Sequence, residues 1–465
     1  MPYTPKDTEP EIQEFWKADK VYEQAKQANT GKKRFYYLDG PPYTSGKIHI
    51  GHAWGKALRD MAMRHLRMRG LDVWDRPGFD MHGLPTAHKV MAKHHLKSKE
   101  DIGAFGDAKF TEECKSFALE NMAQMIQDFK RLGIWMDWDR PYTPLSREFM
   151  DGTWWLIKQA EKNGVLYEGE KSMAWCRECA TSLAKHELEY ENISDTSIFV
   201  KLRVEGKEKE HLIVWTTTPW TIPFNMAVMV HPELDYVRAQ VDDEVWVVAK
   251  GLAGPVITAV ADRTFTVLEE MKGSQLQGTR YIHPFGELAW HKEQHEQNPK
   301  AHSVVMSSEH VSLDAGSGLV HCAPGCGPED FEVGHREGIP PFNNLDQYGV
   351  YPEGMGELSG LVAKRDDKKF IAIMEERGII LAKTPVEHEY PHCWRCKNPV
   401  IWKTTRQWFF DVEKQLRDLM LQENEKITWV PDWAGRKWFR SWLENLRDNG
   451  ITRQISWGTP LPIWR

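Results

Sequence analysis

The sequence predicts an α/β protein whose sheet is interrupted by a separate β-rich insert, and three observations support this. Residues 34–74 read as strand, turn, helix and strand, which is how a parallel α/β sheet opens. Short β-type runs then follow one another between residues 195 and 380. Two Cys-x-x-Cys pairs lie on either side of that stretch. We therefore expect one α/β domain cut open by a β domain.

The composition is that of a globular protein and excludes several classes. Of the 465 residues, 41% are hydrophobic and 27% are charged, which excludes disorder throughout the chain and a fibrous fold. At about 150 residues per domain, this length fits about three domains. The net charge of −7 excludes a strongly basic surface for binding nucleic acid over the whole protein, but it does not exclude local basic patches. Because no apolar run approaches the ~20 residues of a membrane helix and no secretory signal is present, we expect a cytoplasmic protein without a membrane partner.

The N-terminal region is predicted to begin with an amphipathic helix. This helix covers residues 8–28, with Thr8 as its cap and Pro10 in its first turn. A short strand at 34–38 follows, and the turn D-G-P-P-Y-T-S-G comes directly after it.

A long helix is predicted from His49 to Arg69, with Gly70 as its C-cap, and a second strand at 71–74. Two further helices are predicted at 112–132 and 146–163. The insert consists of β-type runs with turn signals between them: SIFVKLRV, HLIVWTTT, MAVMV, YVRAQV, EVWVVAK and TFTVLEE.

Four of the seven cysteines form two pairs, Cys176/Cys179 and Cys393/Cys396. Each pair places two thiolates on one tight turn, and two such turns close a tetrahedral site of four sulfur ligands that suits zinc. Direct zinc-ribbon spacing is ~15–20 residues, so the insert must lie between the two halves of this site. We expect a closed, structural zinc site, the alternative being two unrelated turns or free thiols.

The turn before the long helix carries a nucleotide-binding signal. Residues 47–52 lie where strand and turn meet a helix N-terminus, whose free N–H groups and dipole attract phosphate. His49 and His52 are three residues apart and project from one face, and Gly51 leaves room for a nucleotide near the backbone. Two imidazoles there can donate hydrogen bonds to charge developing on a phosphate. The alternative is that paired histidines only cap the helix.

Six ordered segments resemble the class I aminoacyl-tRNA synthetases, and in particular their isoleucine branch of archaeal or eukaryote-like type. Segment 39–53 (D-G-P-P-Y-T-S-G-K-I-H-I-G-H-A) is similar to the HIGH signature, and 78–85 (G-F-D-M-H-G-L-P) to the second block of the isoleucine enzymes. The other four are W-T-T-T-P-W-T (215–221), G-S-G-L-V-H-C-A-P-G-C-G-P-E-D (316–330), Y-P-H-C-W-R-C (390–396) and I-S-W-G-T-P-L-P-I-W (455–464).

The resemblance implies a class I synthetase Rossmann-type parallel sheet, split and with an incomplete second half, plus a β-rich inserted editing (CP1) domain on a zinc-ribbon neck. The segments we expect are 1–170 for the N-terminal helix and first half of the catalytic domain, 171–194 for the first half of the zinc neck, 195–385 for the editing domain, 386–402 for the second half of the neck, and 403–465 for the start of the second catalytic half.

The implied synthetic activity is the ATP-dependent activation of L-isoleucine to isoleucyl-adenylate, with Mg²⁺ accompanying ATP, and transfer to tRNA(Ile). His49, Gly51 and His52 would hold ATP and stabilise the transition state. Asp80 would pair with the α-amino group of isoleucine, because charge-assisted hydrogen bonds are the strong ones. The apolar side-chain pocket would be shaped by Gly40, Pro41 and Trp457.

A pocket that accepts isoleucine rejects valine only weakly, since one missing methylene is worth ~1–3 kcal/mol, a limit for which this enzyme class is itself the standard example. The resemblance therefore implies a second, hydrolytic site for mischarged Val-tRNA(Ile). Thr216, Thr217 and Thr218 would contact the ester and the terminal ribose. Asp330 would anchor the amino group of valine, and His321 would contact the amino acid or the terminal adenosine. We expect no metal there.

Three alternatives remain at this point. One is a valyl- or leucyl-tRNA synthetase of the same branch, against which the D-M-H-G block argues. Another is a non-catalytic zinc-ribbon RNA-binding module, which would need no HIGH turn. A third is a different HIGH-bearing nucleotidyltransferase, which would lack the threonine row and the G-P-E-D block.

The lysine-rich KMSKS loop and the helical anticodon-binding domain of the family have no counterpart in the 465 residues. We therefore expect a truncated, monomeric chain with its editing part whole and its synthetic site unfinished. Such a chain should make isoleucyl-adenylate feebly or not at all. Isoleucine-dependent ATP–pyrophosphate exchange measures this, and robust exchange by the purified chain would contradict the expectation.

Overall fold

The computed structural model describes residues 3–464, which form two compact units. The first unit comprises the residues up to Gly164 together with those from Ile455 onward, and the second comprises Val165–Gln454. Met1, Pro2 and Arg465, which fall in the expected segments 1–170 and 403–465, lie outside the described residues. The predicted class, α/β with a β-rich insert, is confirmed by the elements of both units.

The first unit combines seven helices with a two-stranded sheet along its described residues. In chain order these elements are α1 (Pro5–Ala18), α2 (Val21–Gln27), β1 (Arg34–Tyr36), α3 (Ile50–Met68), β2 (Asp72–Trp74), α4 (Leu84–Lys93), α5 (Lys99–Phe105), α6 (Asp107–Arg131) and α7 (Arg147–Lys162). Strands β1 and β2 pair in parallel with Phe35 opposite Val73, and α3 connects them. The predicted strand–turn–helix–strand opening is therefore confirmed.

The predicted N-terminal helix is two helices in the structure. It starts earlier than expected, at Pro5 after the extended residue Thr4, because proline fits the first helical position, where its missing N–H costs nothing. It is interrupted at Lys20, which adopts a left-handed conformation with φ 50° before α2 begins. Thr8 and Pro10 consequently lie inside α1, so the predicted cap at Thr8 is wrong.

Asp39 anchors the turn after β1. Its buried carboxylate contacts the Lys56 ammonium on α3, and Arg59 Nη1 lies 3.6 Å away. It also accepts hydrogen bonds from the Tyr37 hydroxyl at 3.1 Å and the Gly78 N–H at 3.1 Å. One carboxylate thus holds the turn, the long helix and the segment after β2 together.

The second unit is mainly β-structure. Its strands are β3 (Leu166–Cys176), β4 (Thr181–Ser182), β5 (Leu188–Val204), β6 (Glu210–Thr216), β7 (Ala227–Val230), β8 (Asp235–Val241), β9 (Glu244–Ala249), β10 (Thr266–Lys272), β11 (Tyr281–Ile282), β12 (Ser303–Met306), β13 (Val320–Cys322), β14 (Ile380–Cys393), β15 (Ile401–Phe410) and β16 (Asn449–Gly450). Its α-helices are α8 (Ala289–Gln297), α9 (Pro328–Glu337), α10 (Asp367–Glu376), α11 (Arg417–Asn424) and α12 (Arg440–Glu444).

All six predicted β-type runs of the insert form strands, from β5 to β10, and they belong to one ten-stranded sheet. A second, four-stranded sheet has the order β16-β15-β3-β4. The insert is attached by a long antiparallel ribbon of β5 and β14, which pair from Val200 opposite Ile380 to Leu188 opposite Cys393. None of the described helices is both long and apolar enough to cross a membrane.

Substitution of Asp39 by alanine should destabilise the first unit, because it leaves Lys56 buried without a counter-charge. Removing one partner of a buried ion pair costs ~3–5 kcal/mol. Urea unfolding measures this loss of stability, and hydrogen exchange of the α3 amides in the folded chain shows whether it is centred on the helix. Asp19→Ala, at an exposed position of the same unit, is the control and should change stability by less than ~0.5 kcal/mol. An Asp39→Ala chain as stable as the wild type would show that the ion pair is not an anchor.

Candidate functional site

A cavity of about 370 Å³ lies in the second unit, and all five residues predicted for a hydrolytic site line it. The residues are Thr216, Thr217, Thr218, His321 and Asp330. Sheet pairing brings them together, because β13 lies between β6 and β7, with Val320 opposite Trp215 on β6. The threonine row at the end of β6 and the histidine on β13 are therefore neighbours, although far apart in sequence.

The threonine hydroxyls form a hydrogen-bonded chain at the edge of the cavity. Thr216 Oγ1 lies 3.1 Å from Thr218 Oγ1 and accepts the Thr218 N–H at 3.1 Å. Thr218 Oγ1 lies 3.2 Å from Thr221 Oγ1, which donates to the Thr218 carbonyl at 2.8 Å. Thr221 lies inside a buried 3₁₀ segment, Pro219–Phe224, that directly follows the row. The hydroxyls are consequently ordered before any ligand arrives.

His321 is held between two protein groups, so its tautomer is fixed. Asn225 Nδ2 donates to His321 Nδ1 at 2.8 Å, because the Asn225 oxygen is already occupied by the Tyr281 hydroxyl. Nδ1 is then an acceptor, and Nε2–H donates to Thr221 Oγ1 at 2.9 Å. Burial lowers the pKa of His321 to about 3. The ring is neutral at pH 7, and its Nε2 supports the threonine chain while its Nδ1 is held by Asn225.

Asp330 brings a carboxylate to the cavity without a basic partner among the described residues. It lies in the first turn of α9, and its Oδ2 accepts one hydrogen bond, from Ala323 N at 3.1 Å. Burial raises the pKa of Asp330 to about 7, and the Ala323 N–H only partly offsets this. An ionised carboxylate in such a place is costly unless it is paired. A cationic ligand in the cavity would supply that pair.

Two residues of this site were missed from the sequence, Thr221 and Asn225. Thr221 is the last residue of the W-T-T-T-P-W-T motif, and the sequence could have indicated it, because it is the fourth hydroxyl residue of that segment. Asn225 carried no signal, because its role depends on the fold of the 3₁₀ segment and on a strand almost a hundred positions later.

The HIGH turn of the first unit presents two histidines with their outer nitrogens available. His49 is the N-cap of α3, and its Nδ1 accepts the Gly51 N–H at 3.1 Å. His52 Nδ1 faces the His49 N–H at 3.4 Å, and the two rings stack with centroids 3.8 Å apart. Since both Nδ1 atoms accept, the neutral rings carry their protons on Nε2. Two N–H donors thus lie side by side at a helix N-terminus.

Asp80 and Trp457 both lie next to Met81 in the first unit. Asp80 is half-buried, and burial raises its pKa, while backbone N–H groups of His82 and Met81 oppose that shift. Trp457 is buried, and its indole N–H donates to the Met81 carbonyl at 2.7 Å. Gly40 and Pro41 lie exposed in the turn after Asp39. That these residues shape one isoleucine pocket stays a prediction.

The four paired cysteines converge in the second unit. The sulfur atoms of Cys176, Cys179, Cys393 and Cys396 all lie within 4.8 Å of one another. Each second cysteine is followed by a residue in the left-handed region, Ala180 with φ 49° and Lys397 with φ 61°, which reverses the chain so that both thiols of a pair face inward. With Zn–S bonds of ~2.3 Å a tetrahedral site needs such spacing, so this donor set fits zinc.

The family model described as tRNA synthetases class I (I, L, M and V) matches residues 11–465. The chain belongs to this family. The resemblance seen in the sequence is thereby confirmed, and a non-synthetase zinc-ribbon module or nucleotidyltransferase is set aside.

Curated synthetases named isoleucine--tRNA ligase are similar along the whole chain. The relative from Pyrococcus horikoshii is 44% identical over 472 residues, covering 100% of this chain and 44% of the relative. The relative from Methanothermobacter thermautotrophicus is 41% identical over 464 residues, covering 99% and 43%. The chain thus spans less than half the length of these relatives. A solved structure of LeuRS from Agrobacterium radiobacter K84, in a ternary complex with tRNA, is 14% identical to this chain and covers 87% of it and 50% of that protein. Its TM-score of 0.35 is too low for a comparison of individual elements.

Zinc should bind to the synthetase chain at one site and stabilise the second unit. Removal of metal with a chelator should lower the melting temperature, because the binding free energy of a closed site contributes to folding. Cys396→Ser should abolish stoichiometric zinc binding. Cys114→Ser, which replaces a buried thiol in α6, should retain it. Metal analysis of the purified variants measures both. Full zinc content in Cys396→Ser would contradict the assignment.

Proposed function

We propose that this chain is the part of an isoleucine–tRNA ligase that hydrolyses mischarged Val-tRNA(Ile). It also contributes the first residues of the site for isoleucine activation. The observation that carries the editing role is the unpaired carboxylate of Asp330 beside an ordered row of threonine hydroxyls in one cavity. A valyl ester of the tRNA terminus offers an ammonium group for the carboxylate and ester and ribose oxygens for the hydroxyls. The cavity chemistry and the ligand chemistry therefore match group by group.

The editing reaction is an ester hydrolysis in which water attacks the valyl carbonyl carbon. The bond from that carbon to the ribose oxygen breaks, the ribose oxygen takes one proton of the water, valine leaves as its carboxylate, and the second proton passes to solvent. Asp330 orients the ester by binding the ammonium, which in turn stabilises the ionised carboxylate. The threonine chain orients the ester and terminal ribose. His321 is neutral and a fixed donor to Thr221, so it positions the hydroxyls and does not act as the base.

The pH dependence of editing follows from the pKa of Asp330. Burial raises it to about 7 in the empty cavity, so below pH 7 the carboxyl is mainly protonated and no longer attracts an ammonium. The value of kcat/KM reports the free enzyme. It should therefore rise as pH increases through about 7.

The synthetic role of the first unit is the second part of the proposal. The Nε2–H groups of His49 and His52 would donate to the α-phosphate of ATP, with Gly51 between them leaving the helix end open. Asp80 would hold the ammonium of L-isoleucine, and the Trp457 indole donates to the carbonyl of Met81, the residue that follows Asp80. ATP would arrive with Mg²⁺, and tRNA(Ile) would accept the isoleucyl group.

Zinc would be held by Cys176, Cys179, Cys393 and Cys396. A site of four thiolates has no open position, so the ion supplies structural cross-linking and not catalysis. The monomeric state and a cytoplasmic location also stay predictions of the family assignment, and size-exclusion chromatography with light scattering tests the first.

Replacement of Asp330 by alanine should lower the rate of Val-tRNA(Ile) deacylation by about 10- to 100-fold, since a hydrogen bond to a charged group is worth ~1.5–3 kcal/mol. The assay is release of labelled valine from Val-tRNA(Ile) under single-turnover conditions. Asp314→Ala is the matched control, because Asp314 lines the same cavity but is exposed at its rim. The control should keep nearly the wild-type rate. Full deacylation by Asp330→Ala would overturn the editing assignment.

A further inference from the structure

The loop that ends at Asp330 is attached to a strand beside the cysteine cluster through one carbonyl group. Gly325 O accepts hydrogen bonds from Asn343 Nδ2 at 3.0 Å, from Thr404 N at 3.2 Å and from Thr404 Oγ1 at 3.3 Å. Thr404 lies on β15 and pairs with Ser172 on β3, the strand that ends at Cys176. We call β3 and β15 the neck strands.

Asn343 contacts the cavity loop and a neck strand at the same time. Its Oδ1 accepts the Leu345 N–H at 3.2 Å, which leaves Nδ2 as the donor toward the loop. Besides Gly325 O, that nitrogen lies 3.4 Å from the Trp402 carbonyl on β15 and 3.5 Å from Cys326 Sγ. Cys326 itself lines the cavity. The amide is thus a bridge between cavity loop and neck strand.

The loop is closely packed against its neighbours at two glycine contacts. A Cβ added at Gly325 would lie 2.2 Å from the Phe342 carbonyl oxygen. On the opposite side α9 packs as closely, since a Cβ at Gly334 would lie 2.6 Å from Pro324 Cγ. The loop therefore lies directly against the Phe342 backbone and against α9.

The same loop sets the position of the Asp330 carboxylate. Cys326 N donates to the Ala323 carbonyl at 2.7 Å, which closes the turn around Gly325. Ala323 N in turn donates to Asp330 Oδ2 at 3.1 Å. The hydrogen bond that orients the carboxylate thus comes from the turn that Asn343 and Thr404 hold.

We propose that Asn343 is a positioning residue of the editing cavity: together with Thr404 it fixes the Gly325 carbonyl to the neck and so holds Asp330 where the ammonium of an aminoacyl ester binds. The inference deepens the proposed editing function and rests on it for its substrate. It adds that the neck strands contribute to the geometry of the hydrolytic site and do more than connect the insert.

Hydrogen exchange tests the bridge without any assay of activity. In Asn343→Ala the amides of residues 322–331 should exchange about fivefold faster, as expected for loss of one hydrogen bond. Asn344→Ala is the matched control, because its exposed side chain donates to Met355 Sδ and not to the loop. Thr404→Val, which keeps the backbone donor, should give a smaller increase and serves if Asn343→Ala folds poorly. Unchanged exchange in a folded Asn343→Ala chain would overturn the proposal, as would unchanged exchange in Thr404→Val where Asn343→Ala does not fold.

The pH profile of Val-tRNA(Ile) deacylation separates positioning from a purely structural role. In Asn343→Ala the Ala323 N–H is no longer held against Asp330, and because that N–H keeps the pKa of the carboxyl down, the acid limb of kcat/KM should move to higher pH. A lower rate with an unmoved limb would overturn the proposal. If the wild-type chain does not deacylate Val-tRNA(Ile) at all, the proposed function fails, while the exchange result still decides whether the bridge holds the loop.

Discussion

The second unit depends on one constraint: the two chain segments that bracket the insert must meet and stay together. Four cysteine sulfurs within 4.8 Å and the β5–β14 ribbon, which runs from Cys393 opposite Leu188 outward to Ile380, impose this closure. Loop-closure entropy grows only slowly with loop length, so a large insert costs little more than a small one once its ends are fixed. The insert can then form its own sheet and core, and the cavity is built from residues that this closure brings within reach of the neck strands.

The cavity concentrates an unfavourable charge where a ligand can relieve it. Hydroxyls, an amide and a neutral imidazole satisfy one another along the threonine chain, whereas the carboxylate of Asp330 has a single backbone donor and a raised pKa. Buried polar networks are stable when every member is satisfied, and a buried charge is costly when it is not. This contrast separates the residues that support one another along the threonine chain from the carboxylate of Asp330, whose charge a ligand can pair. His321, which the sequence predicted to contact the substrate, has both ring nitrogens occupied by the protein.

Much of this arrangement follows from local sequence, and the exceptions have physical causes. Alternating apolar runs predicted the six strands β5–β10, because a strand with one buried face needs that period. The two Cys-x-x-Cys turns predicted the thiol cluster, since ligand spacing is a local property. Asn225 and Asn343 could not be predicted, because their roles come from partners brought close only by tertiary pairing. The break at Lys20 was missed because its left-handed conformation leaves no mark in the hydrophobic pattern.

The central claim is that the Asp330 carboxylate binds the ammonium of an aminoacylated adenosine. Isothermal titration of the wild-type chain with a non-hydrolysable valyl-amide analogue of the terminal adenosine, and with the same analogue lacking the amino group, tests it most directly. We predict that the amino group improves affinity by about tenfold or more at about pH 7.5, where the carboxylate is mainly ionised and the amine is still largely protonated, and that this advantage shrinks below pH 7. Equal affinity for the two analogues at that pH would contradict the account.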